Sequence, residues 1–102
     1  MKKCCQDYMN EQFGGDADLI AEIYNEYVSS VTGKIAEAQT ALAAQNRTVL
    51  DRIAHTIKGN ALAVGDTDMA EAAIALRKTA ALGDDAGSAE LIARLDSFKA
   101  QL

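Results

Sequence analysis

Residues 47–65 read RTVLDRIAHTIKGNALAVG. Wound as a helix at about 100° per residue, this stretch puts Leu50, Ile53, Ala54, Ile57, Ala61 and Val64 within roughly 60° of Leu50. That apolar stripe predicts a helix with one face buried in a bundle. Asn46 is a suitable N-cap for it, and Gly65 suits the left-handed position just past its end. Gly59 in the middle costs about 1 kcal/mol relative to Ala. Ala61 and Val64 nonetheless continue the stripe in register, so the helix is expected to run through the glycine rather than stop at Gly59-Asn60.

On both sides of this stretch the pattern is the same. Upstream, Asp16 looks like the cap of a long helix whose apolar positions Ile20, Ile23, Tyr27, Val31, Ile35, Ala38 and Leu42 recur every three or four residues. Gly33 lies inside it, and the turn Ala44-Gln45-Asn46 follows. Before Gly14-Gly15, the segment through Phe13 reads as a short helix with Cys5, Met9 and Phe13 along an apolar edge. Downstream, Asp66 or Thr67 caps a helix carrying Met69, Ala73, Leu76 and Ala80, with Gly83 past its end. After Asp84-Asp85 a last helix shows Leu91, Leu95, Phe98 and Leu102. The expected fold is all-α: an antiparallel four-helix bundle with a short additional N-terminal helix, lying as a lid over one end. Residues 1–102 are read as a single domain, without repeat, linker or low-complexity tract.

Composition narrows the function classes. A formal charge of −5 over 102 residues argues against nucleic acid or an anionic membrane as partner, since both require a phosphate-neutralising basic surface. No apolar run approaches the roughly 20 residues that span a bilayer, and Met1-Lys2-Lys3 is followed by Cys-Cys-Gln-Asp instead of an apolar leader. A cytoplasmic protein is expected. Cys4 and Cys5, adjacent near the start, are poorly placed to bridge the fold and are read as reduced thiols packed as small apolar groups.

His55 stands about 140° from Leu50, on the outward side of its helix. Asp51, Arg52, Lys58, Gly59 and Leu62 share that arc. An ordinary imidazole has a pKa near 6.5 and is largely neutral and nucleophilic at physiological pH, so it is able to attack phosphorus. Lys58, one turn on, brings an ammonium toward phosphoryl oxygens, and Arg52, one turn back, offers a second cation. Gly59 clears space beside the ring, and Leu62 offers apolar contact to a docking partner. A solitary surface histidine is usually inert, and each neighbour alone is unremarkable chemistry. The combination is what points to a reaction surface.

Other equipment is absent. There is no glycine-rich nucleotide loop and no carboxylate cluster arranged for magnesium, so neither ATP nor another cofactor is expected to bind. One histidine and two adjacent cysteines do not make a zinc site of ordinary composition, and no metal is expected. The serines lack the turn context of a hydrolase nucleophile.

His55-Thr56-Ile57-Lys58-Gly59, with Ala54 before it and Gly65 six positions after Gly59, resembles the signature of the histidine-containing phosphotransfer (HPt) domain family. The resemblance extends through the long helix from Asp16 and downstream through Met69, Ala70 and Leu76. It implies that His55 is the phosphoryl acceptor, Lys58 an electrostatic aid, Gly59 the clearance and Gly65 a structural glycine. It further implies a phosphocarrier, not an enzyme in its own right, that exchanges phosphoryl groups with aspartates on response-regulator receiver domains, within a phosphorelay fed by a sensor histidine kinase. The receiver would supply the acidic pocket and the magnesium. Docking is expected through Asp51, Arg52 and Leu62, and a monomer is expected. Two positions depart from the common pattern: Asn60, where Ser or Ala is frequent, and Arg77 after Leu76, where an acidic residue is frequent. Neither is expected to carry the chemistry. Two other readings compete: a helical adaptor that binds a receiver domain or another signalling protein without being phosphorylated, and the dimerising phosphoacceptor hairpin of a sensor kinase. The second usually has an acidic residue after its histidine, whereas Thr56 stands here.

Overall fold

Short polar side chains open four helices by accepting the N–H three residues ahead: Asp16 from Leu19, Asn46 from Val49, Asp66 from Met69 and Asp84 from Gly87. A computed structural model describes residues 1–102 as five helices and no strand. They are α1 Lys3–Phe13, α2 Ala17–Ala43, α3 Arg47–Val64, α4 Thr67–Leu82 and α5 Asp85–Lys99. The four capped helices α2 to α5 form a ring in which each packs on the next and α5 closes on α2, while α1 lies against α2 and α3. The molecule measures 42 × 20 × 18 Å, its long dimension set by α2. This is the expected four-helix bundle with a short N-terminal helix.

All six residues expected on the inner face of α3 are its buried residues. Gly59 and Gly33 both lie inside unbroken helices. On α2 the stripe is shifted at both ends. Tyr24 and Ala41 are buried, whereas Ile23 and Leu42, expected inside, are half-buried. These four sit on the flanks of the stripe, where the adjacent helix and not the period decides which residue is covered. Near Tyr24 that neighbour is α1. On α5, Leu91 and Leu95 are buried as expected, together with Ile92. Phe98 is half-buried, and Leu102 packs against the core from beyond the helix end.

Two features of the core position what lies outside it. Where α3 meets α4, the buried residues include Ala54, Ala61, Ala70, Ala73 and Ala80. Such small side chains let the helix axes approach closely. Short side chains on the rim of α3 are therefore within reach of long ones from α4. At the α3–α4 turn, Gly65 takes φ +75°, and a Cβ there would meet Tyr8 Cβ at 2.5 Å. The missing side chain is where α1 rests.

Candidate functional site

The outward face of α3 carries His55, exposed as expected, two turns from the N-cap Asn46. Its ring is not free. Arg77 Nη1, from α4, lies 3.1 Å from His55 Nδ1, and Arg77 Nε donates to Asp51 Oδ1 at 2.9 Å. Leu76 and Ala80 bury their side chains in the bundle, so Arg77, beside Leu76, emerges along the α3 side of α4. Asp51, one turn before His55, then fixes the guanidinium at a second point. The result is a chain from carboxylate to guanidinium to imidazole across the α3–α4 seam. From the sequence, Arg77 had no expected part in the chemistry and no expected contact with His55; the structure places its guanidinium against the ring. The signal was present, since Arg77 is one of the two departures from the family pattern, but the register between α3 and α4 is not written in either helix.

The other expected residues divide between two flanks. Lys58 is half-buried and lines the groove between α3 and α4 with Arg47, Asp51, Ile74, Arg77 and Lys78. Arg52 is exposed and lines the opposite groove, toward α2, with Lys34 and Glu37. The two cations thus flank the imidazole instead of sharing one side. Gly59 is exposed, with nothing within 4 Å of where its Cβ would be, so the surface beside the ring is open. Leu62 is 49 % exposed. Ile74 on α4, for which the sequence held no expectation, is 38 % exposed and adds an apolar residue to the groove that Lys58 and Arg77 line. Its period matched neither the core stripe nor a motif, so only the α3–α4 pairing reveals it. Asn60 points to α2, where its side-chain amide donates to Ser30 Oγ at 3.0 Å. Five of the chain's ten Lys and Arg residues but only four of its fifteen Asp and Glu fall between Arg47 and Lys78, so this stretch is slightly positive within an acidic protein.

A second polar cluster was not foreseen beyond the capping role of Asp66. The Asp66 side chain is fully buried at the α3–α4 turn. Its carboxylate accepts from Lys2 Nζ at 2.9 Å, from Tyr27 Oη at 2.6 Å and from the Met69 N–H at 3.4 Å. Burial, reinforced by the hydrogen bond and negative charge of Asp66, pushes the Tyr27 phenol well above its usual range. Burial likewise pushes the Cys5 thiol up to about 12, with the charge of Asp66 adding to it. Tyr24 Oη is buried without a hydrogen-bond partner. Cys4, exposed, and Cys5, buried, are both free thiols, and their sulfurs lie within 4.8 Å of each other and of an Asp66 oxygen. These are three potential ligands where zinc usually takes four, and both oxygens of the carboxylate already hold protein donors. The cluster is arranged to seat α1, with Lys2 as counter-ion to Asp66.

No helix is long and apolar enough to cross a membrane. A family model described as Hpt domain matches residues 22–102, from within α2 to the last residue. No curated protein and no solved structure matches the chain.

Proposed function

The chain belongs to the Hpt domain family, whose members are helical phosphocarrier modules of phosphorelays, and on that premise we propose that it carries a phosphoryl group on His55. The observation that carries this reading is that the sole histidine of the sequence is exposed on α3 between the cation-bearing grooves of α2 and α4. His55 is the acceptor. Lys58 neutralises phosphoryl oxygens from the α4 side, as a point charge that acts on the transferring group. Gly59 leaves room for a partner's active site to approach the ring. Asp51, Arg52 and Leu62 belong to the docking surface, and Ile74 extends it.

In this reading the 102 residues form one phosphotransfer domain that works as a monomer in the cytoplasm. The partners are receiver domains, with a sensor histidine kinase at the head of the relay. A receiver's phosphorylated aspartate and its magnesium sit in an acidic pocket, and the slightly positive stretch between Arg47 and Lys78 is complementary to such a pocket. The chain supplies position and charge, while the partner supplies the metal that phosphoryl transfer requires.

The test is incubation with a phosphorylated receiver domain and magnesium, followed by assay for acid-labile, base-stable phosphate. Wild type should become labelled and His55→Gln should not, with helicity unchanged, because an exposed side chain contributes little to the core. Binding to a receiver without label would favour the unphosphorylated adaptor.

A further inference from the structure

The partner of His55 constrains which ring nitrogen holds the proton. A guanidinium has only N–H donors, no acceptor, and does not lose its proton in proteins. A hydrogen bond from Arg77 Nη1 to His55 Nδ1, 3.1 Å apart, therefore occupies the Nδ1 lone pair. The neutral ring must then carry its single proton on Nε2. In this arrangement neither nitrogen is a free nucleophile: Nδ1 has its pair engaged and Nε2 holds the proton. Asp51 Oδ1, 2.9 Å from Arg77 Nε, holds the guanidinium in place from the other side.

We propose that Arg77 is a positioning residue that sets the state of the His55 ring, holding it closed to attack at rest and protecting the phosphoryl group once it is on Nε2. The proposal rests on the reading of His55 as phosphoryl acceptor. For acceptance, Arg77 leaves the ring, and exchange with solvent moves the ring proton from Nε2 to Nδ1. The Nε2 lone pair then attacks phosphorus, and the bond from phosphorus to the donor's carboxylate oxygen breaks, its electron pair staying on that carboxylate. The Nδ1 proton passes to solvent. What remains is a neutral phosphorylated ring with a lone pair on Nδ1, and Arg77 donates to it again. Loss to water breaks the P–Nε2 bond and returns that pair to the ring, which departs easily only when Nδ1 has first been protonated. Arg77 competes with the solvent proton for that one lone pair. The acidic pocket of a receiver would draw the guanidinium off, so docking and unlocking coincide.

The test exploits the sole histidine of the sequence, whose ring nitrogens give unambiguous signals in 15N-labelled protein. In neutral wild type, one nitrogen should resonate as fully protonated and the other as fully unprotonated. In Arg77→Met the two should move toward each other as both tautomers become populated, and Arg77→Lys should restore part of the separation. Both proteins are then phosphorylated with phosphoramidate, which needs no protein partner and reaches the wild-type ring during transient openings of the exposed Arg77 contact, and the loss of phosphate is followed at neutral pH. Arg77→Met should lose it about fivefold faster, the scale of one lost charge-assisted hydrogen bond at a half-exposed site. Unchanged ring signals or an unchanged rate of loss would overturn the proposal. If neither phosphoramidate nor a phosphorylated receiver labels the wild type, the acceptor reading itself fails and takes the protective role with it. The ring signals report on the Arg77 contact independently of that outcome.

Discussion

Asp51 and Asp66 stand in clusters made of similar parts. Each carboxylate pairs with a cation, Arg77 in one case and Lys2 in the other, at 2.9 Å in both. Each cluster includes an aromatic ring with a titratable proton, His55 or Tyr27. They differ in solvent. The Asp51 and Arg77 side chains are 41 % and 38 % exposed, whereas Asp66 is fully buried and Lys2 nearly so. A pair in water contributes at most about 1 kcal/mol and is remade at little cost. A pair without water leaves a costly unpaired charge when one partner goes. Burial thus turns similar groups into a fixed joint at one place and an adjustable contact at the other, and the adjustable one sits where a partner must work.

The sharpest break of this comparison is to remove the two carboxylates in turn. Asp66→Ala should cost about 3–5 kcal/mol in chemical denaturation, because Lys2 and Tyr27 lose their partner and α4 its cap. Asp51→Ala should cost less than about 1 kcal/mol. Equal losses would mean that burial does not separate the two clusters. Next in size, Gly65→Ala should destabilise by about 2 kcal/mol, since the left-handed backbone resists a side chain and the new Cβ would push Tyr8 and α1 away. A neutral result would show that α1 is not seated on that turn.

A smaller effect sharpens the contrast through pH. Below pH 9.0, its ordinary value, the Cys5 thiol is protonated in folded and unfolded chains alike and stability is unaffected by it. Above that the unfolded chain releases the proton while the folded chain keeps it until about 12, so stability falls as pH rises across this window. Tyr27, also raised, adds to the fall from its ordinary value of 10.0 upward. Urea unfolding across this range should show the decline in wild type and a shallower one in Tyr27→Phe. A slope unchanged by that substitution would remove Tyr27 from the linkage.

Much of this architecture was legible because helices announce themselves locally. The caps Asp16 and Asn46, Asp66 as one of two candidates beside Thr67, the stop at Gly65 and the six inner residues of α3 depend only on neighbours within a turn or two. His55 could be placed on the outer face by the same counting. What escaped were contacts between helices. Arg77 meets Asp51 and His55, Ile74 lines a groove with Lys58, and Lys2 meets Asp66 across 64 residues because of the way the helices slide and rotate against one another. Periodicity says which face is inward but not which residue lies opposite. Ile23 and Leu42 failed for the same reason, at the flanks of a stripe whose covering depends on the adjacent helix.

The seating of α1 has a practical consequence for anyone who trims this chain. The family match begins at residue 22, and an excised version starting there would lack both Lys2 and Tyr8. Asp66 would still be held by Tyr27 and by the backbone it caps, yet its charge would have no counter-ion. The segment that carries Lys2 and α1 thus supplies the counter-ion of a buried carboxylate, although the region matched by the family model leaves it out.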